Sequence, residues 1–319
     1  MVRQPDPVRD GVLAMRTARP FLKWAGGKTQ LLPAITARLP AELPAGRITR
    51  YVEPFVGSGA VFLHLAQHYP LAEFFLFDRN PELILAYRTL QTDCEPLIER
   101  LAHIQAEYHR LSSAEQKDYF YRTRAEFNAA RAALDSPIPR SQAIQRTAQL
   151  IFLNRTCYNG LFRVNAKGEF NVPFGSYKNP RICDPGNLRA VSVLLQRVVV
   201  QHADFEACAP HVDAHTFVYF DPPYRPLTTT ASFTAYARYT FDDDEQRRLA
   251  AFYRRLHATG AKLMLSNSDP HNIDPHDDFF DRLYAGFHLH RVQANRMINS
   301  NPARRGPITE LLITNYGEA

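Results

Sequence analysis

The chain has 319 residues, 45% of them hydrophobic and 12% aromatic, enough to bury a full core in one large domain or two ordinary ones. Its apolar runs are too short to span a membrane, its glycines and prolines carry no collagen-like period, and its aromatic content excludes a disordered chain. The formal charge of +6 permits a nucleic-acid partner without identifying one.

In chain order, the first residues carry Arg3, Arg9, Arg16 and Arg19 among prolines with no apolar signal core, which predicts a flexible tail over 1–19. Helical spacing follows over Lys28–Arg38, Ala60–Gln67 and Pro81–Leu90. Between these helices lie two short apolar runs, Arg50–Val52 and Glu73–Phe77, that read as buried parallel strands. From Thr92 to Leu153 the pattern is helical throughout, with Leu97, Leu101, Ile104 and Tyr108 on one face. A loop-rich stretch runs on to Pro185. Strand patterns then return at Val198–Gln201, Thr216–Phe220, Lys262–Ser266, Phe287–Val292 and Leu311–Tyr316, with a helix over Glu245–His257. This order predicts an α/β sheet domain, residues 20–91 and 186–319, split by a helical insert at 92–185. Four widely spaced cysteines form no CxxC pair, so neither a zinc site nor a disulfide framework is indicated.

Three motifs carry chemistry. Val52 to Ala60 places Gly57 and Gly59 between a strand and a helix, where backbone N–H groups can meet a ligand closely. Asp78 closes the next strand, where a carboxylate can accept hydrogen bonds from ribose hydroxyls. The third glycine of the dinucleotide fingerprint is missing, which disfavours NAD and leaves S-adenosylmethionine open as the adenosyl ligand.

Asp221-Pro222-Pro223-Tyr224 stands at the carboxyl end of an apolar strand, the edge at which such sheets bind ligands. An exocyclic amine conjugated to a purine is a poor nucleophile because its lone pair is delocalised. A carboxylate and a carbonyl that accept its two protons favour a pyramidal nitrogen. Pro222 can aim its carbonyl without a competing N–H, and Tyr224 offers a ring on which a base can stack. Phe21 to Thr29 contains a GKT that tempts a phosphate-loop reading, but Leu22 stands where the first glycine should be. Trp24, flanked by Lys23 and Lys28 and followed by two glycines, fits better as part of a binding wall, with a core anchor as the alternative that sequence alone does not separate from it. Arg282, Arg291, Arg296, Arg304 and Arg305, and the stretch from Arg155 to Arg181, could line one groove for a phosphate backbone or be two solvated faces.

The order FLKWAGGK, VEPFVGSG, NRTCYNGLFRVNAKGEFNVPFGSYKNP, DPPY, RMINSNPARRG and ELLITNY resembles the Dam-type, D12 class DNA adenine-N6 methyltransferases of the alpha group, from about Pro20 to Tyr316. The resemblance implies a Rossmann-like methyltransferase sheet with an inserted target-recognition domain. It implies S-adenosyl-L-methionine as cofactor, bound by Trp24, Lys28, Glu53, Phe55, Gly57 and Gly59, with Asp78 on the ribose, Asp204 and Phe205 beside the adenine, and Asp221 adjoining. Asp221 to Tyr224 would be the catalytic tetrad, acting on a flipped adenine in double-stranded DNA, at GATC by family analogy. Lys23, Tyr158, Asn159 and Arg163 match positions that meet the duplex, and Arg296, Arg304 and Arg305 would bind its backbone. Ser176 departs from the arginine that close relatives often carry there. Asp221 disfavours the alternatives, an N4-cytosine enzyme with Ser first in the tetrad or an RNA adenine enzyme with Asn first. The intact tetrad disfavours a non-catalytic DNA-binding regulator. No metal and no membrane are expected, and the setting would be cytoplasmic and nucleoid-associated. A solitary enzyme and the partner of a cognate restriction endonuclease would look the same in sequence.

Overall fold

A computed structural model of the protein describes residues 17–131, 138–225, 241–295 and 307–317. Among the described residues seven strands form one sheet: β1 (Arg50–Glu53), β2 (Glu73–Asp78), β3 (Val198–His202), β4 (Thr216–Phe220), β5 (Lys262–Ser268), β6 (His288–Asn295) and β7 (Pro307–Thr314). Their order is β3-β2-β1-β4-β5-β7-β6. β1 to β5 run parallel, whereas β7 runs antiparallel between β5 and β6. Every residue of β4 is buried, which explains its unbroken apolar run: both faces of the central sheet are covered. The last two strands extend beyond the expected limits, to Asn295 and back to Pro307, because they pair with each other over their full length.

The chain leaves β1 for β2 and β3 on one side and returns to β4 on the other. The carboxyl ends of β1 and β4 therefore flank a reversal of strand order, where open α/β sheets leave a crevice.

The helices are α1 (Leu32–Thr36), α2 (Ala60–His68), α3 (Pro81–Thr92), α4 (Cys94–His109), α5 (Ser113–Ala129), α6 (Arg140–Thr156), α7 (Pro185–Leu195), α8 (Asp243–His257) and α9 (Phe279–Leu283). The expected single helix Lys28–Arg38 is instead a 3-10 turn, Lys28–Gln30, followed by α1. Pro33 stands in the first turn of α1, where its missing N–H costs no helical bond, so the helix restarts there. Residues 1–16 of the expected tail lie outside the described residues. Ala18 and Arg19 belong to the fold: the Ala18 amide donates to Gln67 Oε1 at 2.7 Å and the Arg19 amide to Asn187 Oδ1 at 2.9 Å. Among the described residues no helix is long and apolar enough to cross a membrane.

One apolar core fills the sheet face under α2, α3 and α7 and runs without a break into α4, α5 and α6, where Leu97, Leu101, Ile104 and Tyr108 are all buried. A second core covers the opposite face beneath α8. α6 is also joined to α3 by a buried ion pair. Arg146 on α6 donates through Nε to Glu82 Oε2 of α3 at 2.9 Å, reaches Glu82 Oε1 through Nη2, and donates to the Phe127 carbonyl at 2.9 Å.

Candidate active site

β1 turns through residues 54–59 into α2, and β4 turns through Asp221–Tyr224 at the same sheet edge. Both turns face a cavity of about 720 Å³ that also reaches Trp24–Lys28, Asp78 and, in the insert, Phe127, Asn128, Arg131 and Phe162–Val164. Such a volume lies within the range of about 300–1,000 Å³ typical of small-molecule and cofactor sites.

The β1 turn needs its glycines. Gly59 has φ +68°, and a Cβ there would fall 2.5 Å from the Tyr87 hydroxyl. That hydroxyl donates to the Gly57 carbonyl at 3.1 Å, and the Gly57 amide donates to Asp78 Oδ2 at 3.1 Å. The Asn80 amide donates to Asp78 Oδ1 at 2.9 Å. Burial pushes the Asp78 carboxyl up to about 6 in spite of these amide donors. Glu53, at the end of β1, accepts from the Tyr51 hydroxyl at 2.9 Å, and burial pushes it well above the carboxylate range against that hydrogen bond. Phe55 and Trp24 complete this side, Phe55 against Phe241 and Trp24 stacked on Phe162 of the insert at 5.2 Å.

Asp204 and Phe205 stand behind this wall and are not among the residues lining the cavity. Asp204 receives two hydrogen bonds from Arg248, at 3.0 and 2.9 Å, and an ion pair from Arg79. Burial would raise its carboxyl, but the Arg248 hydrogen bonds and both arginine charges hold it below the usual range. Phe205 is buried beneath the Arg248 guanidinium.

The tetrad is clamped by β5 and β7. Asp221 Oδ1 lies 2.7 Å from Lys28 Nζ and accepts from Ser266 Oγ at 3.0 Å. Ser266 in turn accepts from the Tyr219 hydroxyl at 3.0 Å. Burial raises the Asp221 carboxyl, with the Lys28 charge the main opposing influence. The Tyr224 ring lies 4.5 Å from the Lys28 ammonium, and its hydroxyl donates to Glu310 Oε2 at 2.7 Å. The Pro223 carbonyl accepts from Gln246 Nε2 at 3.2 Å, and Gln246 Oε1 accepts from Asn267 Nδ2 at 3.1 Å.

Lys23, Tyr158 and Asn159 are brought to one exposed face by Asn154. Its side chain accepts from the Lys23 amide at 2.8 Å and donates to the carbonyls of Lys23 and Gly160 at 2.8 and 3.0 Å. Tyr158 keeps 55% of its surface exposed, and Asn159 takes φ +55° in the 3-10 turn Tyr158–Gly160. Arg163 lines the cavity and donates through Nε to Asn171 Oδ1 at 2.8 Å. Ser176 has φ +51° and precedes Tyr177, whose ring lies 5.0 Å from the Lys23 ammonium. Arg296, Arg304 and Arg305 lie outside the described residues.

Sequence reasoning passed over Ser266, Glu310 and Gln246. Ser266 had a readable signal, since Ser266-Asn267-Ser268 ends an apolar strand at the ligand-binding edge. Glu310 and Gln246 carry no local mark, because their roles arise only when β7 and α8 pack beside the tetrad.

Residues 24–298 match the family described as D12 class N6 adenine-specific DNA methyltransferase. The type II methyltransferase M.MjaIII of Methanocaldococcus jannaschii is 50% identical over 93% of this chain and 99% of its own length. The type II methyltransferase M1.LlaDCHI of Lactococcus lactis subsp. cremoris is 36% identical over 94% of this chain and 96% of its own. A DNA adenine methylase of Vibrio cholerae is 34% identical over 93% of this chain and 96% of its own.

Proposed function

The chain belongs to the D12 class of N6 adenine-specific DNA methyltransferases, and from that premise we propose that it takes its methyl group from S-adenosyl-L-methionine and delivers it to an adenine flipped out of duplex DNA at a GATC site. The observation that carries this reading is that the tetrad carboxylate and the Gly57–Asp78 turn open on one cavity at the carboxyl edge of β1 and β4.

The residues present fit the cofactor. Asp78 is half-buried at the cavity wall with a carboxyl able to accept from ribose hydroxyls, the β1 turn is glycine-bounded where a Cβ at Gly59 would collide, and Trp24, Phe55 and Phe241 supply apolar faces. Glu53, Phe55, Gly57 and Gly59 would hold the methionine part, with Asp204 and Phe205 supporting the adenine side from behind. When bound, S-adenosyl-L-methionine supplies an electrophilic methyl group.

The chain's own residues prepare the acceptor. Asp221 and the Pro222 carbonyl accept the two protons of the adenine amine, so that its lone pair is no longer shared with the ring. Asp221, raised by burial, is suited to hold the proton that the amine gives up. Tyr224, its plane fixed through Glu310, stacks on the base and offsets part of a flipping cost of a few kcal/mol. Residues 92–185 act as the target-recognition domain, with Lys23, Tyr158, Asn159 and Arg163 toward the bases and Arg296, Arg304 and Arg305 toward the backbone. A cytoplasmic, nucleoid-associated setting follows from the same reading, which accommodates a solitary enzyme and the partner of a cognate restriction endonuclease alike.

Mapping N6-methyladenine across DNA from cells that express the chain gives base and site together. Asp221→Ala is expected to abolish transfer while DNA binding persists. Near-normal methylation by that variant would overturn the mechanism, and methylation away from GATC would overturn the site.

A further inference from the structure

In the proposed chemistry the target nitrogen needs a carboxylate acceptor, a backbone carbonyl acceptor and an aromatic face. One nitrogen of the protein itself already receives all three. The Lys28 ammonium lies 2.7 Å from Asp221 Oδ1, donates to the Gly26 carbonyl at 2.6 Å and sits 4.5 Å from the Tyr224 ring centroid. Lys28 is also the one buried lysine among the described residues, 6% exposed. An ammonium and an adenine amine differ in charge and use different carbonyls, Gly26 for the one and Pro222 for the other, yet both present N–H donors to Asp221 against the Tyr224 ring.

We infer that Lys28 holds the place of the acceptor amine while the pocket contains no base, and that the target adenine must displace it from Asp221. The inference rests on the tetrad chemistry proposed above and adds a competitor built into the site. A largely buried carboxylate without an opposite charge is costly, so with Ser266 but not Lys28 beside it Asp221 would be either uncompensated or protonated in an empty pocket. Lys28 meets that need from within the chain. It can also leave. It follows Gly26, at φ +75°, and Gly27, its ammonium rides on a flexible four-carbon stem, and Glu53 is a second carboxyl close enough to feel its charge. A base that offers no amine at this position, such as hypoxanthine, would be a poor substitute for Lys28, so the exchange would favour adenine.

The test compares two duplexes carrying the methylated site, one with the target adenine and one abasic at that position, by fluorescence anisotropy. Contacts to the rest of the DNA cancel in the ratio of the two affinities. Lys28→Met keeps the length and removes the donor, and the preference for adenine over the abasic duplex should rise roughly tenfold, the effect of deleting one charge-assisted competitor. An unchanged or smaller preference overturns the inference. Should Lys28→Met fold poorly, a crystal structure of the wild-type protein with the adenine duplex decides. Lys28 Nζ beyond hydrogen-bond distance of Asp221, with the adenine amine in its place, is the expected result. A retained Lys28–Asp221 pair beside the bound amine would make Lys28 a fixed member of the site and overturn displacement. Methylation of adenine by the same wild-type preparation tests the underlying reading separately.

Discussion

Ser266→Ala asks whether β5 sets the geometry of transfer. Ser266 Oγ lies 3.0 Å from Asp221 Oδ1 and 3.5 Å from the Phe220 carbonyl, and its single proton goes to the nearer, charged acceptor. Its removal deletes a charge-assisted hydrogen bond worth about 1.5–3 kcal/mol. It also strands the fully buried Tyr219 hydroxyl, whose acceptor among the described residues is Ser266, at a further cost of roughly 1–3 kcal/mol. Urea unfolding should therefore show a loss of about 2.5–6 kcal/mol, while only the first contribution bears on Asp221. If that contribution is needed in the transition state, single-turnover methylation slows about 10- to 100-fold. Tyr219→Phe combined with Ser266→Ala separates the two, because the stranded hydroxyl is gone and Asp221 is still loose. The double variant should regain about 1–3 kcal/mol of stability and none of the rate. An unaltered rate in Ser266→Ala, or recovery of the rate in the double variant, would refute a role for Ser266 in orienting Asp221.

Three further outcomes follow. Because Asp78 is raised to about 6, its acceptor form is lost as pH falls through that value, so S-adenosyl-L-methionine affinity measured by calorimetry should drop between pH 7 and 5; Asp78→Asn should bind weakly with no such slope, and a flat wild-type profile would sink the assignment. Arg146→Ala leaves Glu82 buried without its partner and should cost about 3–5 kcal/mol in chemical unfolding, whereas Glu82→Leu with Arg146→Met should lie near the wild type. Arg163→Ala should relax preference at one base by about 1–3 kcal/mol, whereas Arg304→Ala should weaken binding evenly across single-base variants of the site; the reverse pattern would exchange their roles.

The sheet was legible because burial on both faces writes itself as short apolar runs, as in Thr216–Phe220 and Glu73–Asp78. The antiparallel placement of β7 between β5 and β6 was not, since nothing local in Pro307–Thr314 states strand direction. The interruption after Gln30 was legible in principle from Pro33, but helical spacing on both sides masked it. At the cavity stand residues that speak through local pattern: Gly57 of the β1 turn, Asp78 at a strand end, and Asp221 to Tyr224. Those that act by reaching across the sheet, Ser266, Gln246 and Glu310, have no pattern of their own. Charge was the least legible property. Arg155 donates to the Phe21 carbonyl, Arg181 pairs with Asp184, Arg282 with Asp278, and Arg291 with Asp269 and Asp281. Much of the apparent basic excess is thus engaged by partners within the chain, some of them in surface ion pairs, while Lys23, Lys167 and Lys178 stay exposed.

The segment from Lys23 to Lys28 links the proposed recognition face to the proposed catalytic carboxylate over a few residues of backbone. At its start, Lys23 is fixed by Asn154 of the insert beside Tyr158 and Asn159. At its middle, Trp24 stacks on Phe162, also of the insert, and lines the cavity. At its end, Lys28 holds Asp221. Movement of the insert on DNA would be felt at Asp221 through this strap, without any longer route across the core. A substitution of Trp24 therefore cannot be read as a cofactor defect alone. Trp24→Ala should weaken cofactor binding and also change the preference for an adenine over an abasic target, and measuring both in the one variant separates a local wall from a strap.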